Sequence, residues 1–298
     1  MNSGGLPSGA SKLRQRSSGT ARSTQTAFTL LELLVVMAII ALLLGVLLPA
    51  LASSRTEGTK VKCIANLRSL GQAMAAYSTD DERGFAAPVS PTADRRWYDG
   101  DYEYGGKTGL GPYATAAYST QSRPLNRYLF RSGKNAAMDF FECPTETGIP
   151  SAPFNFDEYF FNDAAIDKPA FQVTGTSYRL NNHIDFTGRF PQYHDHFYGP
   201  YMRPSSQVPD TGATVILEET VTEVAKWNEP IHQTMGWHRK PNRFNVSFVD
   251  GHASTIFLAG QNEQSAYGGE VYWILRGDGW RMDCYPRPPV CDSPKNCD

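Results

Sequence analysis

The sequence predicts an α+β protein, with a long N-terminal transmembrane and amphipathic helix packed on a mainly antiparallel β head. Three observations predict it: an uninterrupted apolar segment, a helical spacing of apolar residues directly after it, and short alternating segments toward the C-terminus. The 298 residues suffice for one globular domain and an extended helix. The formal net charge of −2 gives no electrostatic reason to expect nucleic acid as a partner.

The apolar segment, residues 28–52, is long enough to cross a membrane. An α-helix rises about 1.5 Å per residue, so this segment can span a hydrocarbon core of roughly 30 Å. A secretory signal has a shorter apolar region and a small-residue cleavage site, which does not follow here. Residues 1–27 contain four basic residues and no acidic one, and we expect them to be disordered. Basic residues flank both ends of the apolar segment, so charge alone does not set its orientation.

Residues 53–80 are predicted to continue the same helix as an amphipathic segment. Five residues at intervals of three or four mark one face of it: Cys63, Leu67, Leu70, Met74 and Tyr77. This face is predicted to pack on the head, and the helix is expected to end near residues 80–84.

The head, residues 81–298, begins with an irregular, loop-rich stretch. Its Gly- and Tyr-rich part, residues 99–120, is interpreted as surface loop. Four later segments have the composition or alternation of strands: 213–218, 244–249, 253–258 and 271–275. Asp250-Gly251 lies between two of them and predicts a hairpin turn, because such a turn needs residues with positive φ.

The apolar segment opens with a specific motif, FTLLE at residues 28–32. This motif resembles the processing site of type IV prepilins and pseudopilins, where a peptidase removes a basic leader before a Phe. In that family the new amino terminus is methylated and the fifth mature residue is Glu. The resemblance implies removal of residues 1–27 by cleavage between Ala27 and Phe28. Ala27 departs from the family's usual Gly, so we expect slower cleavage.

Glu32 is the single ionisable residue of the apolar segment. A charge at the centre of a membrane helix costs about 2.5–3.5 kcal/mol, which makes Glu32 a functional candidate. By the resemblance, the freed amino group of Phe28 in one subunit pairs with Glu32 of a neighbour and sets the register of a filament. The simpler alternative is a carboxylate placed favourably at a helix N-terminus.

Pro49 occupies a position where many pilins also carry a Pro. Because it has no backbone N–H, Pro49 weakens the helix locally. We predict that this helps extraction of the subunit from the bilayer into a filament. The alternative is a proline that a membrane helix merely tolerates.

The head resembles a group of pseudopilin-like proteins that share a prepilin-type N-terminus. The matching stretches are CIANLRSLG at 63–71, FECP at 141–144 and SYRLN at 177–181. Members often end in a His, a short spacer and Asp-Gly within a hairpin. His238 followed by Asp250-Gly251 is similar, although its spacer of eleven residues is longer than usual.

The five cysteines all follow the apolar segment, where an extracytoplasmic head would permit disulfides. Cys63 lies on the predicted inward face of the helix, and Cys143 lies in a segment expected to reach the head. A bridge between them would contribute about 4–5 kcal/mol through the long loop it closes; two buried thiols are the alternative. One further bridge is expected, with unknown pairing, among Cys284, Cys291 and Cys297.

No metal site or cofactor is predicted. Two groups contain metal-ligating residue types but lack the spacing of a site: His194-Asp195-His196, and His238 with Asp250 and His252. Calcium has a weak candidate in the Gly- and Pro-rich tail, although no EF-hand spacing occurs there. Its oxygen ligands would come from Asp278, Asp283 and Asp292.

The resemblance implies a structural, non-enzymatic subunit of a type II secretion or type IV pilus-like filament. Its implied partners are other pilin subunits, prepilin peptidase, an inner-membrane assembly platform and lipid. The implied location is a single pass through the bacterial inner membrane, with the head in the periplasm or outside. The bulky head favours a minor subunit. Two alternatives stay open: an anchored binding protein that does not polymerise, such as a glycan-binding one, and an anchored hydrolase using His238 and Asp250.

Overall fold

The structure is a computed structural model that describes residues 29–89, 102–110, 119–130, 138–148, 168–181, 199–227, 233–258, 264–267, 270–273, 276–282 and 284. The chain divides into two compact units, Met1–Leu51 and Ala52–Asp298. The predicted α+β class is confirmed, since a long apolar N-terminal helix accompanies an antiparallel sheet.

Helix α1, Leu30–Asp80, is a single helix of 51 residues. In the first unit every described residue is exposed, including each Leu, Val, Ile and Met from 30 to 51. Water does not favour so much apolar surface, which is the mark of a segment covered by lipid or by another protein. By length and composition, α1 is able to cross a membrane.

In the second unit, α1 turns one face inward. The five residues of the predicted apolar stripe, Cys63 to Tyr77, are all buried, together with Asn66, Gly71 and Ala73. The backbone of α1 lies close to the sheet at Gly71, where a Cβ atom would lie 2.3 Å from the Oγ of Ser247 and 3.1 Å from the Cα of Gly251. Any larger residue here would force Ser247 or the turn at Gly251 to shift. The helix ends at Asp80, within the predicted range.

The second unit contains a four-stranded antiparallel sheet in the order β1-β2-β3-β4. Its strands are β1 (Tyr178–Leu180), β2 (Val215–Glu219), β3 (Arg243–Phe248) and β4 (Ala253–Phe257). The sequence patterns predicted β2, β3 and β4 to within two residues. They did not predict β1, because three residues are too few to show an alternation.

Two short antiparallel pairs follow the sheet. They are β5 (Gln264–Tyr267) with β6 (Glu270–Trp273), and β7 (Arg276–Gly277) with β8 (Trp280–Arg281). Short helices connect the earlier elements: α2 (Asn126–Leu129), α3 (Ala170–Val173) and α4 (Val221–Trp227), with 3₁₀ turns at Met138–Phe141 and Ser205–Gln207.

The interpretation of residues 99–120 as surface loop is wrong for its described first part. Tyr102 and Tyr104 are buried, and so is the side chain of Arg123. The Arg123 guanidinium donates hydrogen bonds to the carbonyls of Tyr102 (2.8 Å), Gly105 (2.7 Å) and Thr174 (2.7 Å). An irregular segment is therefore buried because a distant cation satisfies its backbone oxygens.

Candidate functional site

The predicted cleavage site, Ala27 and Phe28, lies outside the described residues, which begin directly after it at Thr29. Thr29 and Glu32 form a capping box at the start of α1. The backbone N–H of Glu32 donates to the Thr29 hydroxyl (3.2 Å), while the Thr29 N–H donates to the Glu32 carboxylate (2.9 Å). The helix thus begins where the mature chain is predicted to begin.

The capping box leaves part of the Glu32 carboxylate available to another molecule. The backbone N–H and the hydroxyl of Thr29 both donate to one oxygen, Oε2. Within the described residues 29–89, no donor contacts Oε1, and the Glu32 side chain is exposed. Glu32 is therefore held at the helix end while presenting one oxygen outward.

Pro49 lies inside α1 without ending it. Its ring has no N–H for the carbonyl of Gly45, one turn earlier, so one bond of the helical ladder is missing. A Cβ placed on Gly45 would meet no atom within 4 Å. Around Gly45 and Pro49 the helix therefore lacks one backbone hydrogen bond, and no other part of the described chain packs against Gly45.

A second group of candidate residues lies deep in the second unit. Cys63 of α1 and Cys143 form a disulfide with their Cα atoms 5.3 Å apart. The Nε2 atom of His238 lies 3.8 Å from the Cys143 Sγ and 2.7 Å from the Oε1 of Glu219 on β2. All four residues are buried. Their ligand atoms lie within 4.8 Å of one another, so this cluster has the composition and spacing to hold a metal ion.

Neighbouring polar groups orient the two non-cysteine members of the cluster. Asn245 donates its backbone N–H to the Oε2 of Glu219 (3.1 Å) and its Nδ2 to Oε1 (2.9 Å). The Nδ1 of His238 lies 3.1 Å from the hydroxyl of Thr145. With Nδ1 engaged in this way, Nε2 is the ring nitrogen that faces the sulfur atoms.

A buried carboxyl group lies behind Cys143. The Cys143 N–H donates to the Ser177 hydroxyl (2.9 Å), and that hydroxyl donates in turn to Glu146. The Phe171 N–H also donates to the Glu146 carboxylate at 3.3 Å. Burial raises the pKa of Glu146 to about 7, with the hydrogen bonds partly opposing the rise.

Asp250 and Gly251 form the turn between β3 and β4, as the sequence indicated, and Gly251 has φ +88°. The Asp250 carboxylate accepts hydrogen bonds from the backbone (3.0 Å) and the Nδ1 (2.6 Å) of His252. The backbone of Gly251 packs on Gly71, two helical turns or about 12 Å along α1 from Cys63. Asp250 thus pairs with His252, whereas His238 contacts the cysteine cluster.

The comparisons with known proteins bear on the N-terminal motif. The model of a family described as the prokaryotic N-terminal methylation motif matches residues 22–48, which include Ala27, Phe28 and Glu32. This match accompanies a long N-terminal apolar helix and an antiparallel sheet in the same chain. The chain fits a pilin-like protein.

The pilin-like motif indicates a substrate of prepilin peptidase, of the type IV pilin or pseudopilin kind. It marks a structural protein of the pilin type rather than a known family of enzymes. The motif and the N-terminal apolar helix together indicate a membrane-anchored, single-pass protein. No curated protein and no solved structure matches the chain.

Sequence reasoning did not identify Glu219 as a member of the buried cluster. The available signal was a pair of acidic residues at the end of the apolar segment 213–218, since acidic residues are rarely buried without partners. The spacing of the four residues in the sequence gave no signal, because they come from four separate parts of the chain.

Of the remaining predicted residues, Cys284 and Asp278 are the two that the structure describes, and neither belongs to the capping box or to the buried cluster. Cys284 is buried and lies outside the disulfide, and Asp278 is exposed. The others lie outside the described residues: Cys291, Cys297, His194, Asp195, His196, Asp283 and Asp292.

The face of the sheet opposite the Glu219 side chain carries a separate buried group of charges. Arg179 lies 3.5 Å from Glu218 and also contacts Glu223, while Lys226 lies 3.0 Å from Glu223 and also contacts Glu218. Burial raises the pKa of Glu218, and the neighbouring Lys226 opposes the rise. Two cations balance two carboxylates here, which is the arrangement of a structural ion-pair network.

Proposed function

We propose that this chain is a structural subunit of a filament of the type II secretion or type IV pilus kind, released from its leader before Phe28. The observation that supports this most strongly is the position of the methylation motif. It coincides with the capped start of an apolar helix whose first 22 residues are exposed. A helix of this kind needs an apolar environment along its whole circumference.

The proposed assembly uses the same surface twice. Before assembly, lipid covers the exposed apolar side chains from residue 30 to 51 and anchors the chain in the inner membrane. After extraction by an assembly platform and its ATPase, the helices of neighbouring subunits cover them in the filament core. The leader lies on the cytoplasmic side and the head on the opposite side.

Glu32 sets the axial register in this proposal. Its Oε1 faces outward, and it accepts the amino group of Phe28 from an adjacent subunit once cleavage has produced that group. A charge pair removed from water favours one register strongly, because any other register leaves an unpaired charge in apolar surroundings. The methylated amine retains its positive charge and keeps the pair intact.

The decisive experiment measures the N-terminus of the membrane-extracted protein. Intact mass and N-terminal sequencing are compared with and without a prepilin peptidase. We expect a mature chain that starts at methylated Phe28 only when the peptidase is present. An intact Met1, or a cut at another position, would contradict the proposal and favour an anchored binding protein.

Ala27 supplies a matched control for the specificity of cleavage. Ala27→Gly restores the family's usual residue, and we expect it to be processed faster than the natural chain. Ala27→Gln places a long side chain at the same position, and we expect it to be processed more slowly. Equal rates for all three chains would mean that cleavage does not depend on this position.

A further inference from the structure

We propose that Cys63, Cys143, Glu219 and His238 bind one Zn²⁺ ion when the disulfide between the two cysteines is reduced. The site goes beyond a role in filament assembly, since it lies wholly within the second unit. Two thiolates, an imidazole and a carboxylate form a ligand set that suits tetrahedral zinc. The same two sulfur atoms serve either the disulfide or the metal ion.

The distances already approach those of a metal centre. Zinc binds sulfur at about 2.3 Å and nitrogen or oxygen at about 2.0 Å, which places neighbouring ligand atoms roughly 3.3–3.8 Å apart. The Cys143 Sγ and the His238 Nε2 are separated by 3.8 Å. The His238 Nε2 and the Glu219 Oε1, at 2.7 Å, must separate by about 0.6 Å to admit the ion.

The groups behind the ligands are those that metal sites use to orient them. The Thr145 hydroxyl contacts the Nδ1 of His238, so Nε2 is the nitrogen left for the metal. Asn245 donates its backbone N–H to the Oε2 of Glu219 and its Nδ2 to Oε1, and these two bonds fix the carboxylate with Oε1 beside His238.

The conversion between the two forms balances in electrons, protons and charge. A dithiol reductant transfers two electrons and two protons, which yields two thiols on the protein and a disulfide in the reductant. Zn²⁺ then displaces both thiol protons to solvent, since the thiolate is the metal ligand. The two thiolates and the Glu219 carboxylate carry three negative charges, and the imidazole is neutral. With the two positive charges of Zn²⁺, the occupied site has a net charge of −1.

Zinc would preserve the connection that the disulfide makes. The disulfide joins α1, through Cys63, to the segment at Cys143. Because Glu219 belongs to β2, an ion bound to Cys63 and Glu219 would join α1 to the sheet in a similar way. A chain made under reducing conditions would then keep this contact before its disulfide forms. Metal binding that occurs only in the folded state adds stability in proportion to its affinity.

The test uses the full chain in detergent, with Cys284, Cys291 and Cys297 replaced by Ser so that only the two cluster thiols remain. This parent is prepared oxidised and reduced, Zn²⁺ alone is added, and unbound metal is removed by dialysis. Elemental analysis is expected to give one zinc per reduced chain and none per oxidised chain. Co²⁺ in place of zinc is expected to show thiolate charge-transfer and tetrahedral d–d absorption. Equal zinc in the two forms, or Co²⁺ without a thiolate band, would overturn the proposal.

Two histidine variants separate the site from general binding. His238→Gln is expected to weaken zinc binding by at least tenfold, while His252→Gln, at an exposed ring outside the cluster, is expected to leave it unchanged. Equal losses in the two variants would contradict the assignment. Circular dichroism checks that both variants are folded.

A melting experiment on the parent keeps the proposal testable if His238→Gln does not fold. Zinc is expected to raise the melting temperature of the reduced parent and not that of the oxidised parent. An equal rise in both forms, or no rise in either, would overturn the proposal. None of these readings depends on leader cleavage, so the proposed filament role stands or fails separately.

Discussion

The two halves of α1 share one backbone and differ in what surrounds them. From Leu30 to Leu51 every side chain is exposed and Glu32 is the single ionisable one. From Cys63 to Tyr77 the helix buries one face and exposes the other. The first half therefore depends on contacts with other molecules, whereas the second half depends on contacts within the chain.

This difference separates two kinds of mutational effect. A change in the second half is expected to lower the free energy of unfolding without affecting leader cleavage. A change in the first half is expected to alter processing or assembly without affecting the unfolding of the second unit. The five predictions below test this separation, from the largest expected effect to the smallest.

Loss of the Cys63–Cys143 disulfide is expected to have the largest effect. The two residues are 80 positions apart, and closing so long a loop stabilises a protein by about 4–5 kcal/mol. Reduction in the presence of a chelator is expected to lower the free energy of unfolding of the full chain by that amount, which appears as a lower denaturant midpoint. Leader cleavage should continue at an unchanged rate. An unchanged midpoint on reduction would show that the bridge does not hold the second half of α1.

Glu32→Gln is expected to affect assembly alone. Leaving one partner of a desolvated charge pair without its counterion costs about 3–5 kcal/mol, so incorporation into filaments should fall by at least a hundredfold. Sedimentation of sheared filaments measures incorporation, and Glu57→Gln, at an exposed acid of the same helix, is the control. A loss of denaturant stability in Glu32→Gln would break the distinction between the two halves.

Glu146 is expected to make the stability of the second unit depend on pH. Burial raises the folded-state pKa of Glu146 from its ordinary value of 4.5 to about 7, so the folded chain binds more protons than the unfolded chain between these two values. The free energy of unfolding should then fall as pH rises from about 4.5 to 7, by on the order of 3 kcal/mol. Denaturant titrations across this range measure the slope, and Glu146→Gln should reduce it. Equal slopes in both chains would exclude Glu146 as the cause.

Gly71→Ala tests the close contact between α1 and the turn at Gly251. The added Cβ would lie 2.3 Å from the Ser247 Oγ and 3.1 Å from the Gly251 Cα, and overpacking of this kind costs about 1–3 kcal/mol. Gly58→Ala is the matched control in the same helix. Its Cβ would meet no atom within 4 Å, so helix propensity alone should stabilise it by up to about 1 kcal/mol. Destabilisation of both variants would show that the contact is not specific.

Pro49→Ala is expected to have the smallest effect. It restores the missing N–H for the Gly45 carbonyl and stiffens α1 in its exposed half. We expect filament incorporation to fall by a few-fold, with cleavage before Phe28 and the unfolding of the second unit unchanged. Unchanged incorporation would mean that the proline is merely tolerated.

Local patterns predicted much of this fold. The buried residues of α1 recur every three or four positions, which predicts one packed face of a helix. The hairpin around Asp250-Gly251 is predicted by two alternating segments and by a turn sequence suited to positive φ. Such signals depend only on neighbours in the sequence. The segment at Tyr102 and Tyr104 was misinterpreted because its burial depends on Arg123, a residue that no local pattern connects to it.

The sequence by itself determined the methylation motif and the apolar segment after it. A peptidase and a membrane act on contiguous residues, so the motif at residues 22–48 can be recognised from the sequence without knowledge of the fold. Only the tertiary structure decided which polar groups meet in the core. Glu218 and Glu219 are neighbours on β2, and successive side chains of a strand point to opposite faces of the sheet. Glu218 therefore contacts Arg179, whereas Glu219 contacts His238 beside the disulfide. Which face receives which partner depends on where α1 packs, and that is a property of the folded chain.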